Sequence, residues 1–175
     1  MHMLSWLSTS GTAAIVNFPG VLYRGGAEQK IRKYLIDNNY IDTVIQLPPD
    51  LFFGTTIATC VVVLKKSKKD NSTLFIDASA EFVREGNKNK LSEQNREKIL
   101  NAFIERKDIP HFAKLVPNQT IAENDYNIAV STYVAQKEER EEVDIQKLNA
   151  EIEQIVARQA ELRKAIDEIV KELEG

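Results

Sequence analysis

The stretch Ile41–Lys66 constrains the fold more than any other part of the chain. It opens with the apolar run Thr43-Val44-Ile45-Gln46-Leu47 and closes with Thr59-Cys60-Val61-Val62-Val63-Leu64. Short β-branched runs of this kind read as strands. Pro48-Pro49 stops the first, because proline has no N–H to donate to a ladder. A parallel return to the sheet needs a crossover of about a dozen residues or more, usually helical. The corner Asp50-Leu51-Phe52-Phe53-Gly54-Thr55-Thr56 is too short for one, so the two strands pair antiparallel. The corner also delivers Phe52 and Phe53 to the exit of a buried strand, where flat ligands can stack. Neighbours on an extended chain face opposite ways, so the two do not share one role. Core packing and ligand stacking are both open to them at this point.

The preceding segment supplies a partner. Gly11–Phe18 is an apolar run closed by Pro19-Gly20 and reads as a strand buried on both faces. Ala27–Asn38 places Ile31, Tyr34, Leu35 and Ile36 on one helical face. Strand, helix and strand in this compass form a βαβ unit, so the first two strands run parallel. With the antiparallel strand at its edge, the expected architecture is an α/β fold: a mixed sheet flanked by helices. Thr73–Asp77 adds a strand, and Glu85–Lys90 reads as a loop. Ser92 caps a helix from Glu93 to Arg106 with Ile99, Leu100, Phe103 and Ile104 inward. His111–Leu115 reads as a turn, and Ile121–Val134 as irregular to extended.

The last forty residues differ in character. Residues 1–136 hold 16 Lys+Arg against 14 Asp+Glu, whereas residues 137–175 hold 7 against 12. A near-neutral domain (1–136) thus carries an acidic tail (137–175), and this charge argues against DNA binding by the chain alone. In the tail Ile145, Leu148, Ile152, Ile155, Gln159, Leu162, Ile166, Ile169 and Leu173 recur in steps of three and four. That is a coiled-coil seam held through four heptads. Val156 and Val170 widen it, which favours a bundle of more than two helices, and Gln159 is a register or partner-choice device. A lone helix cannot bury such a seam. It folds back on its own domain, meets a partner subunit, or pairs with a copy of itself.

Several chemistries find no support. Cys60 is the only cysteine and lies within a strand, so it reads as a buried structural thiol suited to a reducing cytoplasm. His2 and His111 are the only histidines, with no Cys/His cluster for a transition metal and no Ser/His/Asp set. No apolar run is long enough to span a membrane, and the start lacks the features of a signal peptide. Arg24-Gly25-Gly26 precedes a helix and can meet a phosphate, although an ordinary turn is the better reading of two glycines. Lys65 and Lys66 begin a lysine cluster that can touch a phosphate backbone or stand as a solvated strand end. Asp77 reads as a cap or turn residue. Leu47-Pro48-Pro49-Asp50 lacks the amide and the aromatic of an Asn-Pro-Pro-aromatic tetrad, so it cannot hold an exocyclic amine as that tetrad does.

Five segments in order resemble the C-terminal half of the modification subunit of type I restriction-modification systems. They are Thr12–Lys33, Ile41–Lys66, Leu74–Ser79, Gly86–Leu91, and Asn124–Ile128 with Tyr133-Val134. The resemblance implies adenine-N6 methylation of DNA from S-adenosylmethionine, on a methyltransferase-type, mostly parallel sheet with one reversed strand near its edge. It implies that Phe52, with Phe53 as the alternative, stacks on a target base turned out of the duplex. It also implies that the tail docks on a specificity subunit, in a complex that includes a restriction subunit and DNA. The family's Gly-rich cofactor loop and its Asn-Pro-Pro-aromatic tetrad precede the matching region, so the chain is expected to be an inactive fragment that binds no cofactor alone. The position before Tyr133, basic in the family, is Thr132 here. The rival expectation is a non-catalytic α/β module that presents a coiled coil.

Overall fold

The computed structural model describes residues 1–136 and 145–174, with the side chains at 145–148, 165, 168 and 171–174 outside that description. Two compact units divide between Lys137 and Glu138. The first is built on a five-stranded sheet of β1 (Thr12–Asn17), β2 (Ile41–Gln46), β3 (Cys60–Lys65), β4 (Ser72–Asp77) and β7 (Ala113–Pro117). Their order across the sheet is β1-β3-β2-β4-β7.

β2 and β3 pair antiparallel, as the short corner requires. β3, however, is inserted between β1 and β2 rather than placed at the edge, and it pairs antiparallel with β1 as well. β1 and β2 therefore run in the same direction without touching. β2 and β4 form the parallel pair. β7, antiparallel to β4, is a second reversed strand, where the sequence suggested a turn. Pro117 is tolerated because it ends an edge strand.

The central strands are apolar on both faces because helices cover both. Val44, Val62 and Phe75 pack on one side with Leu22, Ile36, Ile121 and Val130, from α2 (Ala27–Asp37), α4 (Asn118–Glu123), α5 (Val130–Tyr133) and the turn Pro19–Leu22. Ile45, Leu74 and Ile76 pack on the other with Ala102 of α3 (Glu93–Glu105). β1 departs from the expectation of two buried faces. It is an edge strand, and Val16 and Ile15 are exposed.

Three further differences have local causes. On α2, Arg32 is buried and Ile31 and Tyr34 are exposed. The guanidinium is drawn inward because its Nε and Nη1 donate to the carbonyls of Tyr126 at 2.8 Å and Val21 at 2.9 Å; this rotates the helix so that Ile36 is its deepest apolar contact. On α3 the Ser92 cap forms, with the Asn95 amide returning the bond. Leu100 and Ile104 nevertheless point outward, because the stripe that meets the sheet runs through Ile99, Ala102 and Phe103. Ile121–Val134 is not extended: it ends α4, turns through Asp125 and Tyr126 at φ 52° and 56°, and enters α5.

A short helix α1 (His2–Trp6) precedes β1 and buries Leu4. The segment Glu85–Lys90 is a hairpin of β5 (Val83–Glu85) and β6 (Lys88–Lys90), not a loop. Gly86 takes φ 59° at its turn, a backbone state that favours glycine. The second unit is α6 (Ile145–Glu174), a continuous helix of 30 residues. Ile152, Ile155, Val156, Leu162, Ile166, Ile169 and Val170 are exposed on it. The side chains of Ile145, Leu148 and Leu173 lie outside the described residues. Among the described residues no helix is long and apolar enough to cross a membrane.

Candidate functional site

The carboxyl ends of β1, β2 and β4 lie on one edge of the sheet. Asn17 faces Cys60, Cys60 faces Gln46, and Gln46 faces Asp77 in register. A polar row of Asn17, Gln46 and Asp77 therefore crosses the strand ends. Gln46 Nε2 donates to the Thr59 carbonyl at 3.1 Å, and Asp77 Oδ1 accepts from the Ser79 N–H at 3.0 Å. The latter is the turn role expected of Asp77. Cys60 is fully buried, and burial pushes its thiol up to about 11, so it stays protonated and inert at neutral pH.

The Pro-Pro corner projects from this edge. Its backbone closes between the Leu47 N–H and the Thr59 carbonyl at 2.8 Å and between the Asp50 N–H and the Thr56 carbonyl at 3.4 Å. Gly54 turns the tip at φ 77°. Phe52 is 39% exposed and Phe53 wholly exposed. Burying an aromatic ring is among the larger apolar gains available to a chain; the corner forgoes it entirely at Phe53 and in part at Phe52. The other site candidates are distributed differently. Arg24 follows the turn after β1, exposed, with Nη1 3.9 Å from Glu28. Lys65 pairs in register with Thr12 at the opposite edge of the sheet. Lys66 Nζ donates to the Leu7 carbonyl at 2.6 Å, so its ammonium is engaged within the fold.

A hollow of about 550 Å³ lies at that opposite edge, lined by Asp42, Lys65, Lys68, Lys69, Asp70 and Arg106 among others. Part of its charge is engaged within the fold: Arg106 meets Asp42 at 3.1 Å and Asp70 at 3.4 Å, and Lys68 Nζ donates to the Ile41 and Ser72 carbonyls. It is an ionic closure of strand ends rather than a site on the side of the corner.

The residues that sequence reasoning missed are those that hold the corner. The hairpin lies against it. Asn89, 6% exposed, donates from Nδ2 to the Pro49 carbonyl at 2.8 Å and from its N–H to the Asp50 carbonyl at 3.1 Å. Arg84 Nη1 reaches Asn89 Oδ1 at 3.0 Å and Asp50 Oδ2 at 3.4 Å. Lys88 Nζ donates to the Phe52 and Thr55 carbonyls at 3.3 and 3.4 Å. Three-residue strands are too short to show a periodicity; Gly86-Asn87 between them is the one available signal.

A sequence profile described as N-6 DNA Methylase matches residues 1–142. The chain belongs to the N-6 DNA methylase family. It is 49% identical over 174 residues to the methylase subunit of the type I restriction enzyme MpnII of Mycoplasma pneumoniae, covering 99% of this chain and 32% of that protein. It is 36% identical to the MjaVII methylase subunit of Methanocaldococcus jannaschii, across 92% of this chain and 28% of that protein. The chain thus spans about a third of the curated relatives it matches. Among solved structures it resembles the type I restriction-modification methyltransferase subunit from Streptococcus thermophilus, with a TM-score of 0.69 and 48% identity over 71% of this chain and 26% of that one. The EcoKI M protein matches at a TM-score of 0.62 and 14% identity, a likeness of fold over 94% of this chain and 43% of that one. This N-6 DNA methylase chain is a fragment relative to those subunits.

The family implies S-adenosylmethionine as methyl donor. Of the three strand ends at this edge, those of β2 and β4 carry Pro48-Pro49 and Ala78-Ser79 rather than the glycine-rich turn of a nucleotide site. The glycines Gly25 and Gly26 precede α2 with open space around them. No step is therefore assigned to that cofactor on these residues.

Proposed function

We propose that this chain is the C-terminal portion of an adenine-N6-specific DNA methylase subunit, and that its Pro-Pro corner forms the wall on which the target base stacks. The observation that carries the reading is the pair of phenylalanines at the carboxyl edge of the parallel strands, Phe53 wholly exposed and Phe52 partly so, on a corner held by hydrogen bonds from the hairpin. Such an edge is where open α/β sheets place their ligands, and a flipped base is bound by stacking between aromatic and apolar groups. Phe52, half-exposed and rooted beside the strand exit, is the stacking residue; Phe53 at the tip is the alternative. The donor S-adenosylmethionine and the amine-binding groups come from parts of the subunit outside this chain, so the chain alone transfers no methyl group. The tail docks on the specificity subunit of a complex that also holds DNA and the restriction subunit. The match to the MpnII methylase subunit, which runs through the tail, supports this assignment.

The test uses the full-length subunit assembled with its specificity subunit. Base–aromatic stacking contributes about 1–3 kcal/mol per base. Phe52→Ala should lower methylation kcat/KM by roughly 5- to 150-fold, a larger loss than the fall in unfolding free energy that comes from trimming a ring already 39% exposed. A loss of stability in proportion to activity would return Phe52 to the core.

A further inference from the structure

The flanks of the α6 seam carry information beyond its apolar line. With Ile152, Gln159 and Ile166 at heptad position a and Ile155, Leu162 and Ile169 at d, Arg158 falls at g and Arg163 at e. Both arginines are exposed, and neither makes an ion pair among the described residues. In a parallel pairing of two copies, each g residue faces the e residue five positions on in its partner. Arg158 would meet Arg163 of the copy on both sides of the seam, a like-charge contact made twice. In an antiparallel pairing, a layers face d layers. Gln159 would then lie against a leucine or isoleucine of the copy, with its amide buried and unpaired. Both two-helix pairings with itself are therefore penalised, one at its flanks and one in its core.

We propose that α6 is built to reject its own copy and to take a helix of another chain with acidic residues opposite Arg158 and Arg163 and an amide or hydroxyl side chain opposite Gln159. This rests on the reading of the tail as a docking helix and specifies the chemistry of what docks. Val156 and Val170 occupy the e flank one turn of the heptad to either side of Arg163. The partner flank is thus apolar, acidic and apolar in succession. A repulsive element against the wrong partner beside an attractive one for the right partner is how helical pairings achieve specificity.

The full chain is examined by sedimentation across a concentration series, as wild type, R158E, R163E and R158E/R163E, with helix content checked by circular dichroism. Each single exchange turns two repulsive flank contacts into two attractive ones. Self-association should tighten on the order of tenfold in each single variant and return to the wild-type value in the double variant. Two synthetic helices with an Ile/Leu seam and an Asn opposite Gln159 are then titrated, one with Glu and one with Lys at the flanks. The Glu helix should bind the wild type at least about tenfold more tightly than the Lys helix, with the order reversed for R158E/R163E. Equal binding of both helices, abolished by Ile155→Asp with Ile169→Asp, would overturn the charge code and leave docking standing. Binding of neither would overturn both readings. A wild type that self-associates as tightly as the single variants would overturn the rejection of its own copy.

Discussion

Asn89→Ala probes the device that holds the corner. The substitution removes the Nδ2 bond to the Pro49 carbonyl at 2.8 Å and the acceptor that Arg84 uses at 3.0 Å, while the backbone bond to Asp50 is retained. A neutral hydrogen bond contributes about 1 kcal/mol net, and one to a charged group about 1.5–3 kcal/mol. Arg84 is half-exposed, so its share belongs at or below the lower end of that range. The expected cost is about 2 kcal/mol, or a fall of roughly 1 M in urea midpoint at an m-value of about 2 kcal/mol/M. Asn89→Asp keeps the acceptor for Arg84 but sets a buried carboxylate oxygen against the Pro49 carbonyl, so it should cost at least as much as the Ala variant. Amide exchange at Phe52, Phe53 and Gly54 should accelerate in the Ala variant ahead of exchange in β2 and β4. A change in unfolding free energy below about 0.5 kcal/mol, the range of an ordinary surface substitution, with unchanged exchange at the corner, would refute the bracing role.

Two predictions concern groups displaced by burial. Cys60, raised from 9.0 to about 11, should hold about a hundredfold less thiolate than an exposed cysteine at pH 8, and react with a disulfide reagent correspondingly slowly until urea unfolds the chain. Lys68 is lowered to about 8, chiefly by burial, against the opposing pull of Asp42 and Asp70. Between about pH 8 and 10.5 the unfolded chain then binds more protons at this lysine than the folded one, so its contribution to stability rises with pH through that window. The difference in unfolding free energy between wild type and Lys68→Met should show that slope, and a flat or falling difference would count against the burial of the ammonium.

The sequence conveys the sheet better than its surroundings. Thr43–Leu47 and Thr59–Leu64 are legible because they are apolar on both faces and joined by a connection too short to cross over. What it does not convey is that β3 lies between β1 and β2. That depends on how far α2 carries the chain, which no local pattern encodes. The exposure of β1 is equally hidden, because an apolar run does not say whether a neighbour covers it. On α2 the periodicity misjudged the buried face because two backbone carbonyls recruit Arg32, a long-range satisfaction of hydrogen bonds. At the site the aromatic corner is visible in the residues. Its buttress is not, because Arg84, Lys88 and Asn89 look like a solvated loop until the hairpin folds over the corner.

The central claim is that the corner faces a base. A duplex with 2-aminopurine in place of the target adenine, bound by the full-length subunit with its specificity subunit, tests it most directly. Turning the base out of the helix raises its fluorescence, and stacking on an aromatic ring quenches it again. The account predicts that Phe52→Ala brightens the bound probe above the wild-type complex at saturating protein, with Phe52→Trp restoring the quench. Equal fluorescence in wild type and Phe52→Ala, with the same result for Phe53→Ala, would place the base elsewhere and contradict it.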